Sequence, residues 1–284
     1  MSKNSLTKGS LFSRIMIPLG TVILLVWVGF PFYWLIITSL KSPAELFLTP
    51  PSWFPKFPHW VRYQEIWTIL PMGRYMLNSI IVTVLTVFLS LFFTGTAGYA
   101  LSRFNFKGKT LFLGMLLFTQ LVPGVITVIP MYFLMHSLGL LNNYFGLMIA
   151  YATGSIPFCT LMLRSYFKSA YPLELEESAM IDGCSRFGAF VKICLPLSRP
   201  GLAAVATLTS INAWKEFMFS SIIMTKGQYR TLAVGLRDLV GEFGLSYIGE
   251  FMTASVVACL PILIAFLFMQ KSMVEGMASG AVKG

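Results

Sequence analysis

Charge is scarce in this chain. Only 11% of its 284 residues are Asp, Glu, Lys or Arg while 56% are hydrophobic, and the mean hydropathy is +0.75. Soluble domains carry roughly 25% charged residues, so a water-soluble globular fold is excluded. Acidic residues are fewest, 11 against 21 basic, for a net charge of +10. A nucleic-acid binder would gather that excess on one water-facing surface, whereas here the basic residues sit between apolar runs. Histidine is limited to His59 and His136, and the four cysteines (Cys159, Cys184, Cys194, Cys259) form no C-x-x-C pair. Neither a metal site nor a disulfide framework is expected. No His or Asp cluster has acid-base or metal spacing, so no catalytic residue is nominated. A phosphate-binding loop is missing too: Gly108-Lys109-Thr110 has the right ending, but Arg103 occupies the position that requires glycine.

What the chain has instead is long apolar runs. A hydrocarbon core of about 30 Å needs about 20 helical residues at about 1.5 Å each. Six segments qualify: 15–40, 75–101, 110–134, 144–166, 201–225 and 251–270. Runs of this length are helices and not barrel strands, so the expected fold class is an all-α polytopic membrane protein with about six transmembrane helices. The first run follows Lys3, Lys8 and Arg14 as a signal peptide would, but is too long for a cleaved one. Pro18 and Pro31 in the first span, and Pro123, Gly124 and Pro130 in the third, are read either as kinks or as the ordinary abundance of proline in such helices.

Lys and Arg distribute unevenly between the two sides, thirteen against seven. By the positive-inside rule both termini face the cytoplasm. This gives a cytoplasmic N-terminus at 1–14, an external loop at 41–74, a membrane core over 75–270 with a cytoplasmic loop at 167–200, and a cytoplasmic tail at 271–284.

The 167–200 loop carries the most local information. Pro172 suits a first helical turn, with Glu174, Glu176 and Glu177 near its positive end. Gly183 is placed to end that helix in a left-handed conformation, and Ser185 to cap a second short helix. On the second helix Phe187, Phe190, Val191 and Cys194 form an apolar stripe, stopped by Pro196. Either the membrane domain or a cytoplasmic partner could bury that stripe. DNA is not the partner, because the acidic opening turn would repel phosphate.

Glu177-Ser178-Ala179, Asp182-Gly183, Leu195-Pro196 and Pro200 resemble the EAA loop of binding-protein-dependent ABC importer permeases. Further stretches resemble the carbohydrate branch, of the maltose-permease type and its second permease subunit. They are Thr38-Ser39-Leu40-Lys41, Asn78-Ser79, Ala100-Leu101-Ser102-Arg103-Phe104, Val122-Pro123-Gly124, Trp214 with Glu216-Phe217, Arg230-Thr231-Leu232 and the ending from Glu275 to Gly284. Ser178 stands where the family has alanine, and Lys215 where it usually has Asn.

The resemblance implies a type I ABC importer permease fold in a bacterial-type cytoplasmic (inner) membrane. It implies a non-catalytic transport subunit that forms half of a pore for a sugar or oligosaccharide. The implied partners are a second permease, two ATPase subunits holding ATP and Mg, and an external solute-binding protein; this chain itself would bind no cofactor. Glu176, Glu177, Ser178, Ala179, Met180, Asp182 and Gly183 would couple to the ATPase, and Gly280, Ala281, Val282 and Lys283 would dock the tail. Trp214, Lys215 and Glu216 are candidates for the pore. Lys215 reads as a contact for an acidic substrate, a group in a water-filled cavity, a partner to an acid on the second permease, or a snorkelling amine. The rival class is an ion-coupled secondary transporter, which usually sets several ionisable groups deep in repeated halves; only Lys215 and Glu216 sit that deep, and no repeat is evident.

Overall fold

The computed structural model describes residues 11–241, 244 and 247–281. These residues are helical and irregular, with no strand among them. In chain order the helices are α1 (Leu11–Leu40), α2 (Pro43–Leu46), α3 (Arg62–Ile69), α4 (Met72–Arg103), α5 (Lys109–Thr119), α6 (Gly124–Ser137), α7 (Tyr144–Ala170) and α8 (Leu173–Ile181). They continue with α9 (Arg186–Ala189), α10 (Leu195–Leu197), α11 (Arg199–Lys215), α12 (Met218–Ile223), α13 (Leu232–Gly241) and α14 (Ile248–Ala281).

Among the described residues, four helices are long and apolar enough to cross a membrane unbroken, over Met16–Leu40, Met72–Arg103, Tyr144–Ala170 and Ile248–Phe268. The count reaches six if each of two bent pairs is one span: α5 with α6, bent by 101°, and Arg186–Leu197 with α11, bent by 74°. Proline acts differently in the two places where it was noted. Pro18 and Pro31 lie inside the continuous α1, whereas the third apolar run breaks between Thr119 and Gly124, with Pro123 in an extended conformation (ψ 127°). A proline N-terminal to a helix start needs no intrahelical donor, so the break costs little there.

The chain divides into two compact units. The first holds residues up to Ile69 together with Leu239–Val257. Its centre is Arg62, which is fully buried. The guanidinium donates to the carbonyls of Ser39 and Lys41, both at 2.8 Å, and pairs with Glu250 at 3.3 Å. Cation and carbonyls meet at the C-terminal end of α1, where the helix dipole favours positive charge. The Thr38 to Lys41 stretch therefore has a local role as the seat of this cap. Gly249 makes room for it, since a Cβ there would lie 2.6 Å from the Arg62 guanidinium carbon.

The second unit, Leu70–Asp238 with the chain from Ala258 onward, is built on α4 packed against α7 and α11. The buried face of α4 runs through Ser79, Thr83, Thr86, Ser90, Thr94 and Gly98, small residues that let helices approach closely where lipid supplies no hydrophobic drive. A Cβ on Gly98 would meet the Arg164 amide nitrogen and the Leu163 Cβ at 3.2 Å. The hydroxyls of Thr83, Thr86, Ser90 and Thr94 have no hydrogen-bond partner among the described residues, so the stripe works by small size.

Two of the stretches singled out in the sequence, about 150 residues apart, meet at one end of this unit. The Asn78 amide donates to the carbonyls of Gln228 (3.0 Å) and Arg230 (2.8 Å) and accepts from the Tyr144 hydroxyl at 2.7 Å. The Leu232 amide donates to the Ser79 hydroxyl at 2.8 Å. Helix α14 runs on to Ala281, eleven residues past the expected span end at 270. Lys, Glu, Met and Ala fill six of those eleven positions, and these good helix formers offset the two glycines.

Candidate functional site

The 167–200 loop begins where α7 ends at Ala170. Its first helix, α8, closes in a Schellman turn: the Cys184 amide donates to the Ala179 carbonyl (2.9 Å) and the Gly183 amide to the Met180 carbonyl (3.1 Å). Gly183 sits at φ +86°, the left-handed conformation expected of it. Nothing lies within 4 Å of where its Cβ would be, so its requirement for glycine is conformational, not steric. The Ser185 hydroxyl accepts from the Gly188 amide at 3.1 Å and caps α9.

Glu176 is 1% exposed and points inward. It pairs with Arg103 at 3.1 Å and accepts from the Tyr99 hydroxyl at 2.9 Å. Arg103 also donates to the Tyr171 carbonyl and lies 4.5 Å over the Tyr171 ring. Burial pushes the Tyr171 phenol up to about 12, reinforced by the Glu176 carboxylate nearby. The loop is thereby fastened to the end of α4 by a buried charged bond, and Glu176 holds the element in place instead of presenting its carboxylate outward. Sequence reasoning missed Tyr99 and Arg103 as its holders, although Ala100 to Phe104 had already been singled out.

Around the turn, Glu177, Ser178, Asp182 and Gly183 are exposed, Met180 is half-buried and Ala179 is buried. The expected apolar stripe divides. Phe190 and Cys194 are buried against Tyr99, Leu163, Phe167, Tyr171 and Val205, while Phe187 is 74% exposed and Val191 is also exposed. Phe187 and Val191, four residues apart, share the outer side of the stripe and Phe190 and Cys194, also four apart, the inner side. A π-helical turn over Phe190–Cys194 adds a wider i→i+5 winding after the division has begun. The membrane domain covers one half of the stripe and leaves the other half exposed, as it does Ile181 at 86%. Sequence reasoning did not single out Ile181, which belongs to the same open face.

The second candidate cluster lies where the fifth apolar run breaks. Helix α11 ends at Lys215, and Glu216 is extended (ψ 127°). The Glu216 carboxylate turns onto the start of α12, accepting from the amides of Phe219 (2.9 Å) and Ser220 (3.2 Å). A carboxylate on these orphan donors satisfies them and meets the positive helix end. Trp214 uses its indole N–H on the Ala258 carbonyl at 3.1 Å. Lys215 is exposed, on the same face of α11 as exposed Asn212 three residues earlier. Two cavities adjoin this break. One of about 480 Å³ is lined by Gln120, Thr127, Thr153, Pro157 and Phe219, and one of about 200 Å³ by Tyr151, Ser155, Asn212, Glu216 and Phe219. Trp214 and Lys215 line neither. Ala281 ends α14, and the remaining tail candidates Val282 and Lys283 lie outside the described residues.

A match to the family described as "Binding-protein-dependent transport system inner membrane component" covers residues 93–278. The chain belongs to this family. The matched region takes in the Tyr99–Arg103–Glu176 fastening, the glycine turn and the broken fifth run. Relatives extend the likeness over nearly the whole chain. The sulfoquinovosyl glycerol transport system permease SmoH of Agrobacterium fabrum is 37% identical, covering 92% of this chain and 91% of its own. The diacetylchitobiose uptake permease DasC of Streptomyces coelicolor is 36% identical, covering 98% and 100%. The trehalose/maltose permease MalG of Thermococcus litoralis is 34% identical over 95% and 97%. Among solved structures, a bacterial ABC transporter involved in import of the acidic polysaccharide alginate contains a chain that superposes with a TM-score of 0.77 at 24% identity, over 93% of this chain and 98% of that one. The ABC importer permease fold is common to both.

Proposed function

We propose that this permease carries a sugar or oligosaccharide, delivered by an external binding protein, through a pore completed by a second permease and driven by two ATPase subunits that hold ATP and Mg. The observation that carries the sugar reading is the end-to-end identity of 34–37% with permeases named for glycosides and oligosaccharides. An ion-coupled mechanism is not favoured, because family membership ties the chain to a binding-protein-dependent system. Catalysis belongs to the ATPases in this reading, and the chain lies in the inner membrane with both termini cytoplasmic, supported by the thirteen-to-seven split of basic residues.

The open face of Glu177, Ser178, Ile181, Asp182, Gly183 and Phe187 is the proposed ATPase contact. Supporting this are its exposure and its rigid attachment through Glu176 and Arg103, which lets a push on the turn reach α4 without loss in a loose joint. A cross-linking series over 176–184 that never captured the ATPase would refute it.

Lys215 points to an acidic substrate. Its neighbouring acid is engaged with backbone amides, and an exposed Asn and Lys on one face of a spanning helix suit a watery pore better than lipid. Lys215→Asn should reduce uptake of an acidic oligosaccharide and leave its neutral analogue unchanged. Equal effects on the two would remove the charge-reading role. The complex without ATP must move neither sugar; ATP-independent uptake by the chain alone would overturn the whole assignment.

A further inference from the structure

The 41–61 segment leaves the end of α1 and returns to it. Departure is tied at Ser42 and Glu45, where the Ser42 amide donates to the Glu45 carboxylate at 3.1 Å. The return is tied where the His59 amide donates to the Leu40 carbonyl at 2.9 Å. Between these ties the chain runs back down the side of α1. Trp53 meets Phe30 (6.2 Å between ring centroids) and Trp34 (6.0 Å), and Phe54 meets Tyr33 at 6.2 Å. The Tyr33 hydroxyl donates to the Trp53 carbonyl at 2.5 Å.

Phe30 and Trp34 lie eleven and seven residues before Lys41, about 10 to 17 Å back along the helix at about 1.5 Å per residue. They belong to the apolar stretch Met16–Leu40, which at about 37 Å exceeds a hydrocarbon core of about 30 Å by about 7 Å, less than the roughly 10 to 17 Å by which these rings lie back from Lys41. Trp53 and Phe54 therefore sit below the level of the helix end, at the depth of the headgroups and upper acyl chains.

Irregular backbone at that depth is costly unless its polar groups are satisfied or absent. This segment reduces them: residues 50–58 read Pro-Pro-Ser-Trp-Phe-Pro-Lys-Phe-Pro, and four of nine positions have no N–H to desolvate. The Trp53 carbonyl is taken by Tyr33, and the Lys56 amide by the Glu45 carboxylate at 2.8 Å. The large apolar rings face outward all the same: Phe54 is 69% exposed, Phe57 82%, Trp53 61% and Trp60 63%. In water such a cluster would be a liability. At a bilayer interface, rings with a nearby lysine able to reach the headgroups are favoured.

We propose that the Pro-rich segment 50–58 is a membrane-interface anchor, with Trp53, Phe54 and Phe57 inserted among lipids of the leaflet at the Lys41 end of α1. Lipid is the occupant because the cluster continues the exposed apolar flank of α1 (Val26, Trp27, Phe30) without a polar gap. The anchor fixes the depth and tilt of α1, and so where the buried Arg62 cap lies relative to the membrane surface.

The test uses the complete complex in vesicles of phosphatidylethanolamine and phosphatidylglycerol. Nitroxide labels are placed at Phe54 or Phe57 in a background with the four native cysteines replaced. Leu24 on exposed mid-α1 and Lys226 in the 224–231 loop serve as lipid and water references. Labels at both sites should collide with oxygen more than with an aqueous nickel chelate, as at Leu24. Preferential collision with the chelate, as at Lys226, overturns the proposal, and shielding from both reagents overturns it in favour of a protein partner. Trp53→Phe needs no label and preserves the ring packing. It should remove part of the tryptophan emission quenched by lipids brominated near the top of the acyl chains and leave iodide quenching unchanged. Loss of the iodide-quenched part instead would place Trp53 in water.

Discussion

Gly183 and Glu45 show how single residues control two loops. At Gly183 the surroundings are empty and φ is +86°, so a side chain is penalised only through its backbone. A β-branched residue loses about 1 to 2 kcal/mol there, a factor of about 5 to 30 in the population of the intact turn. Gly183→Val should leave insertion intact and lower uptake and binding-protein-stimulated ATPase activity, whereas Gly183→Asn, better tolerated at positive φ, should retain more of both. At Glu45 the amides of Lys56 and Ser42 hold the carboxyl below the usual carboxylate range. A depressed value means the stabilisation is present above the unfolded pKa of about 4.3 and lost as pH falls through the lower folded value. Hydrogen exchange at the Lys56 and Ser42 amides should be slow at neutral pH and accelerate, beyond the intrinsic pH trend, only below about pH 4; protection that persists in acid would mean the carboxylate does not hold the loop.

Among the elements, α4 decides most of the packing, through α7 and α11. The small stripe of α4 makes a specific demand at Thr86, which is fully buried with an unpaired hydroxyl. Thr86→Val keeps the shape and removes an unsatisfied polar group, so it should be neutral or mildly stabilising. Thr86→Leu adds bulk between α4 and its neighbours and should cost about 1 to 3 kcal/mol. Thermal unfolding of the detergent-purified complex distinguishes the two, and equal midpoints would mean the contact is loose. The short helical stretch from Arg186 through the π turn at Phe190–Cys194 presents two sides, with Phe190 buried and Phe187 outside.

At the scale of the molecule, the 167–200 loop is fastened to the end of α4 by the buried Glu176–Arg103 pair, the Tyr99–Glu176 hydrogen bond and the packing of Phe190 on Tyr99. Breaking the charged pair from one side leaves an uncompensated buried charge. The tail is a separate matter for test. Since α14 continues to Ala281, the tail extends a spanning helix. Deleting Met277 to Gly284 should lower ATPase stimulation by loaded binding protein while leaving assembly intact. An unchanged response would assign that segment no docking role.

The apolar runs, the glycine turn and the family resemblance were legible in the sequence, because each depends on a local quantity: hydropathy over about 20 residues, a residue's own φ preference, or a short string of residue types. The tertiary structure alone decided where those features met. Nothing local marks Glu176 as inward and Glu177 as outward, since the difference comes from Arg103 and Tyr99, more than seventy residues away. The broken fifth run was hidden because Trp214 to Phe217 holds no proline or glycine to mark a helix end, and only the carboxylate of Glu216 on the next helix start supports the break. The dip of the Pro-rich segment beside α1 escaped for the same reason: proline announces irregular backbone, but which surface it lies against is set by Trp34, Tyr33 and Phe30, contacts that no local pattern records.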